Sequence, residues 1–261
     1  MSGSAKADWE LFPESRHHLY ESYSFFVEQQ NALLWMGSSK YWATVAGNLP
    51  VFGNDSSDYH PQLVLSISGN DSMWVDGSGG VYTLSLDTRI GLAYEFEIPQ
   101  IETRFSLGYQ HESGHVVDGN LNSSLPPLNL GYDTFRFRAV HDFGKTVRLG
   151  ITIIPVDVSI PSNLPNSAEE FVEYFPLGSK EKTGISPFVS ASLQHPLGFD
   201  SKSSFNAEIG IAKGNHFEKT HTGDVRFVIG YYNGVNPVSK FAAFTDNSTS
   251  EFGYTGVMFS F

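Results

Sequence analysis

"RIGLAYEFEIPQIETRFSLGYQ", residues 89–110, decides the fold of this chain. Ile90, Leu92, Tyr94 and Phe96 take every second position up to the break "EIPQIE", and Phe105, Leu107 and Tyr109 do so after it. Successive side chains of a strand point to opposite faces, so an apolar period of two makes each half a strand with one greasy face. The Pro and Gln between them read as a tight turn, and the whole as an antiparallel hairpin.

The same alternation recurs in "YWATVAGNLPVF", "QLVLSIS", "DTFRFRAV", "TVRLGITII", "SFNAEIGIA", "RFVIGYY" and "GYTGVMFSF", and more weakly in "YSFFVEQQNALLW", "EEFVEYF" and "PFVSASLQ". No segment carries a long apolar stripe of helical period, so little or no helix is expected. One face collects Phe135, Phe137, Leu149, Ile151, Val257, Phe259 and Phe261, and the other collects Arg89, Arg136, Arg138, Arg148 and Glu208 among Gly, Ser and Thr. A soluble sandwich alternates too. Several runs, however, approach the roughly 9–11 residues of a tilted membrane strand, and aromatic residues gather near their ends as at membrane interfaces. The fold expected is therefore all-β, a transmembrane antiparallel barrel.

The confident segments number ten; the weaker ones near Phe25 and Phe171 raise the count to twelve, which is preferred. With the last strand running from outside to periplasm, "EIPQIE" and "DFGK" become short periplasmic turns. Asp71–Gly80, Val117–Leu130 and Ser159–Ala168 then become long outer loops. Residues 1–22 are read as a leader and periplasmic segment, with "AKA" before Asp8 like the end of a removed signal, and 23–261 as one barrel in the bacterial outer membrane.

A formal charge of −12 without a basic face argues against nucleic-acid binding. The absence of Cys excludes disulfides, thiolate metal sites and a cysteine nucleophile. The 21 Phe and 12 Tyr, against 4 Met, suit pleated surfaces.

Beyond Tyr109 the alternation carries His111, Ser113 and His115 onto the apolar side. Polar groups on a lipid face are costly away from an interface, so this position asks for a reason. Residues i and i+2 of a strand stand roughly 6.5–7 Å apart on one face. At that spacing an imidazole can take the proton of a serine hydroxyl as it attacks an ester. Asp133 has the outward parity of Phe135 and Phe137, and a hairpin centred near Asn122 would set it beside His111 as the orienting carboxylate. Asp118, Asn120 and Asn122 are rivals for that role. Two other readings stay open: a polar rim without chemistry, and a metal site. His111 and His115 are about 13 Å apart while extended, too far for one ion, so only a turn at Gly114 would bring His115 and Asp118 to a metal together. "GNDSMWVDGSGG" and "VVDGNLNSS" hold oxygen ligands of the kind calcium takes.

His-x-Ser on the outward face of a barrel strand resembles outer-membrane phospholipase A and, separately, the lipid A deacylase barrels. "HESG" is similar to the phospholipase's His-Gln-Ser-Asn, with Glu112 for Gln and Gly114 for Asn. That resemblance implies His as base, Ser as nucleophile, a third residue on the next strand, and calcium at the oxyanion site. More broadly, "HESGHVVD", "YYNGVNPVSKF" and "LFPES" resemble an uncharacterised family of outer-membrane proteins, departing from it at Val117, Gly119 and Asn236. That family implies fold and location and no activity.

Arg104, Arg136, Arg138 and Arg148 share the inward parity with Glu112 and Glu208, and a chiefly structural luminal ion network is expected. "NHFEKTHTGD", with His216 and His221, reads as a solvated turn, Arg16–His18 as a tail, and Pro237 and Lys240 as part of the last outer loop. The function expected is hydrolysis of acyl esters of outer-membrane lipid, phospholipid or lipopolysaccharide, by Ser113, His111 and Asp133. The alternative is a non-enzymatic barrel, either a narrow pore or a structural or surface-binding protein.

Overall fold

The computed structural model describes residues 9–12, 31–54, 57–75, 77–116, 129–160, 166–177, 184–197, 202–213, 224–235 and 249–260. The strands are β1 (Glu10–Leu11), β2 (Asn31–Trp35), β3 (Lys40–Gly53), β4 (Gln62–Val75), β5 (Val81–Ile98), β6 (Thr103–Val116) and β7 (Asn129–Phe143). They continue as β8 (Val147–Ile154), β9 (Val156–Ile160), β10 (Ser167–Tyr174), β11 (Ile185–Pro196), β12 (Ser204–Lys213), β13 (Asp224–Val235) and β14 (Thr249–Ser260). A single 3-10 turn, Pro99–Ile101, stands between β5 and β6, and no α-helix occurs among the described residues.

Twelve of these strands form a closed antiparallel barrel. β2 pairs with both β14 and β3, which completes the ring through β4 and leaves it without an edge. β9 prolongs β8 beyond Pro155, which has no N–H to give the ladder, and pairs with the upper part of β7. Glu10–Leu11, in the segment expected to precede the barrel, pairs with Phe52 and Gly53 of β3. Trp9 stacks on Phe52 there, with ring centroids 4.9 Å apart.

Each of the expected strands falls within an observed one to within a residue at its ends, though only residues 31–35 of the first are described. The expected outer loop at Asp71–Gly80 is corrected: β4 runs to Val75 and β5 starts at Val81, so two long strands meet across a short connection. Ser159–Ala168 is likewise shortened by β9 and β10. Small polar residues concealed these extensions, because Gly69, Asn70, Asp71 and Ser72 look like a turn until cross-strand pairing with Ser85, Leu86, Asp87 and Thr88 holds them extended. Residues 16–18, 118–122, 216, 221, 237 and 240 lie outside the described residues.

The outer surface is apolar around the ring, with Ile67, Ile90, Leu92, Leu107, Phe137, Ile151, Ile209 and Phe227 all exposed. The lumen has two halves. Along β3–β8 it carries charges and small residues. Along β2, the start of β3 and β11–β14 it holds a packed apolar cluster that includes Leu34, Trp42, Phe188, Tyr232, Tyr254 and Met258.

Glycines make room for this packing. Phe171 stands opposite Gly150, Phe188 opposite Gly210, Tyr254 opposite Gly230 and Leu34 opposite Gly256, each as direct cross-strand partners. A Cβ at any of these glycines would meet the partner's side chain at less than contact distance. Large inward side chains thus lie flat across bare backbone and fill the bore.

Candidate active site on the outward face

β6 is an interior strand of the ring, and its alternation persists toward the end where it enters residues 117–128. Leu107 and Tyr109 expose 49% and 41% of their surface outside, whereas Glu112, in the opposite phase, exposes 1%. His111 and Ser113 share the phase of Leu107 and Tyr109 and face away from the lumen. The His111 side chain is 49% exposed.

β7 pairs His111 with Asp133, as a hairpin centred near Asn122 requires. His111 Nδ1 lies 2.7 Å from Asp133 Oδ1. A carboxylate accepts, so Nδ1 donates, and in the neutral imidazole Nε2 then presents its lone pair. On the other side of Asp133 the ladder shifts register: Asp133 pairs with Val158 and Thr134 with Val156, leaving Asp157 as a bulge. Bulges bend a strand locally and re-aim neighbouring side chains. The phenol of Tyr109 also addresses Asp133, and its ring packs edge-on against Phe135 with centroids 5.5 Å apart.

Ser113 stands one row nearer the loop end, between Thr88 of β5 and Gly131 of β7. Its Oγ is 2.7 Å from Thr88 Oγ1, and that threonine oxygen is 3.5 Å from the Ser113 carbonyl oxygen. The hydroxyl thus rests on Thr88, and transfer of its proton to His111 requires a turn about χ1. Gly131 leaves room for the approach. A Cβ there would lie 3.9 Å from His111 Cε1, so the imidazole leans into the row of Ser113 over a position without a side chain.

The backbone of His115 pairs with Leu86 and Asn129. Asp118, Asn120 and Asn122 lie outside the described residues. Among the described residues no group of three or more His, Asp or Glu is disposed to hold a metal ion. Ser113 Oγ has Thr88 Oγ1 as its hydrogen-bond partner, and the Asp133 carboxylate stands one row away on the same face.

Inside the wall, Arg89 pairs with the buried Glu112, and Arg136 donates to Glu169 at 3.0 Å and to Gln110 at 3.1 Å. Arg104 and Arg148 both engage Asp142. Arg138 donates to Thr152 at 3.0 Å. Glu208 belongs to a different group: it accepts from Tyr254, from Asn206 at 2.8 Å and from Ser190 at 3.4 Å. Asp142, Glu169 and Glu173 also belong to this wall and were not singled out in the sequence, although each has inward parity on its strand.

No protein-family model matches this chain, and no curated protein resembles it in sequence. Solved structures do resemble it. The outer membrane phospholipase A of Escherichia coli aligns with a TM-score of 0.56 over 88% of each chain at 11% identity. The calcium-bound dimer of the Salmonella typhi outer membrane phospholipase aligns with a TM-score of 0.54, over 85% of this chain and 78% of the other, at 15% identity. The fold is that of an outer-membrane β-barrel. At such identity the likeness concerns this barrel's architecture and not its chemistry. Thr88, Gly131 and Tyr109 are the site neighbours that sequence reasoning missed. The signal for Thr88 was present, because the tight turn at 99–102 sets the β5–β6 register.

Proposed function

We propose that this protein is an outer-membrane lipid acyl-ester hydrolase of the serine type, acting on phospholipid or lipopolysaccharide that reaches it laterally. The observation that carries this function is the 2.7 Å contact between His111 Nδ1 and Asp133 Oδ1 on the lipid-facing side, one row from the outward Ser113. The His–Asp pair interrupts an apolar wall, where removal of such polar groups from water is unfavourable away from the interface.

Asp133 holds the imidazole in the tautomer that leaves Nε2 basic and stabilises the imidazolium once it forms. Ser113 Oγ attacks the acyl carbonyl carbon, and its proton passes to Nε2. The tetrahedral intermediate collapses, the alcohol of the lyso-lipid leaves with that proton, and the acyl group stays on Ser113. Water then repeats the sequence and releases the fatty acid.

A second function, a structural barrel with a polar rim, is supported by the resting contact of Ser113 with Thr88. Refolded protein in mixed micelles of phosphatidylethanolamine and lipopolysaccharide, with and without calcium, separates the two. Fatty acid release by the parent that is abolished in Ser113→Ala and reduced about 10³-fold or more in Asp133→Ala is expected. Release that survives Ser113→Ala, or no release by the parent, refutes the hydrolase.

A further inference from the structure

We propose that the hydroxyl of Thr88 is the donor that stabilises the oxyanion of this reaction; the proposal rests on the hydrolytic function above. Acyl transfer places negative charge on the former carbonyl oxygen, and a positioned hydrogen-bond donor there is usually the largest single contribution to the rate. In many hydrolases backbone N–H groups of a turn supply it. A barrel wall cannot readily do so. β6 lies between β5 and β7, and the N–H groups of an interior strand are committed to the ladder. The donor must come from a side chain or from beyond the wall.

On the outward face the described neighbours of Ser113 leave one candidate. Gly131, its partner on β7, has no side chain. His111 already serves as base, and its Nδ1–H is taken by Asp133. Ile90, opposite His111, is apolar. Thr88, the β5 partner of Ser113, already stands with Oγ1 2.7 Å from the attacking atom.

The stereochemistry follows from that contact. When Ser113 Oγ bonds to the acyl carbon, the C=O π electrons move to the carbonyl oxygen, and the serine proton moves to His111 Nε2. The turn about χ1 that carries Ser113 Oγ toward His111 releases the Thr88 hydroxyl, 2.7 Å away at rest, and the new oxyanion, which shares its carbon with Oγ, forms on the side that hydroxyl faces. Either hydroxyl can donate in the resting contact; once Ser113 Oγ is bonded to the acyl carbon it carries no proton, so the Thr88 hydroxyl, turned about its own χ1, is the donor to the oxyanion until the intermediate collapses. In the resting state the same contact keeps the hydroxyl partnered beside an apolar surface. The methyl group of Thr88 meanwhile preserves the β-branched character that suits a strand.

The test uses full-length parent, Ser113→Ala, Thr88→Val and Thr88→Ser proteins, each checked for heat-modifiable gel mobility and assayed for fatty acid release from phosphatidylethanolamine micelles. Valine is nearly isosteric and β-prone, so assembly is expected; Thr88→Ala supplies the same comparison if the valine variant does not assemble. Thr88→Val is expected to lower kcat about 10²–10³-fold. KM should stay within about twofold, because the bond is stronger in the transition state than in the ground state. Thr88→Ser is expected to restore kcat to within about tenfold of the parent. An active parent with Thr88→Val at parental kcat overturns this assignment alone, as does Thr88→Ser as slow as Thr88→Val. A parent without hydrolysis, or activity that survives Ser113→Ala, overturns both this assignment and the hydrolase.

Discussion

Addition of a methyl group at Gly150 tests whether large side chains lying on bare backbone hold this barrel together. The three atoms nearest to a Cβ built at Gly150 are all ring carbons of Phe171, and the farthest of them, Cδ1, is only 2.8 Å away. Carbon pairs prefer about 3.5–4.0 Å, so the ring must move by about an ångström or more in Gly150→Ala. Overpacking of this kind costs about 1–3 kcal/mol, and a ring held on several sides belongs in the upper part of that range, about 2–3 kcal/mol. Phe171 is 5% exposed, and Phe171→Ala on its own is expected to cost about 3–5 kcal/mol. In the double variant the ring is gone and the new methyl group enters its space, so the cost should not exceed that of Phe171→Ala alone. The coupling is then about 2–3 kcal/mol, roughly a 30- to 150-fold change in the folded-to-unfolded ratio. Equilibrium urea titration of protein refolded into lipid vesicles, followed by tryptophan fluorescence, measures all four species. Additivity of the two single changes within about 0.5 kcal/mol would refute the glycine-cradle account.

Gly131 and Arg89 give two further tests. A Cβ at Gly131 would meet His111 Cε1 at ordinary contact distance, 3.9 Å, so Gly131→Ala should keep activity within a few-fold; the γ-branches of Gly131→Val should displace the imidazole and lower kcat more than about tenfold. Equal activity of the two variants would show that the imidazole does not need this space. Arg89→Met leaves the Glu112 carboxylate, 1% exposed, without its guanidinium, and should destabilise the barrel by about 3–5 kcal/mol in the urea titration. Arg89→Met with Glu112→Leu should recover much of that loss, and a single-variant effect below about 1 kcal/mol would deny the pair a structural role.

The alternation of Ile90–Phe96 and Phe105–Tyr109 was enough to establish strands and their outward faces, because side-chain direction in a strand is a local consequence of backbone geometry; the preference for twelve strands over ten also needed the weaker segments near Phe25 and Phe171. Parity was enough, for the same reason, to put His111, Ser113 and Asp133 on one side of the wall. Which residues touch was another matter. The contacts of Asp133 with His111 and of Thr88 with Ser113 depend on cross-strand register, and a slip of one residue would reverse every face. Register follows from hairpin geometry: the tight turn at 99–102 nearly specifies it for β5 and β6, whereas 117–128 is too long to do so for β6 and β7. The filled half of the lumen was hidden for a related reason. Leu34, Phe188, Tyr254 and Met258 point inward against the expected polar lining, and glycines stand opposite three of them: register between consecutive strands sets Gly210 against Phe188 and Gly230 against Tyr254, and closure of the ring sets Gly256 against Leu34. Local chemistry thus determined the strands and the faces, and cross-strand register, which only the shortest turn fixed in the sequence, decided which side chains meet.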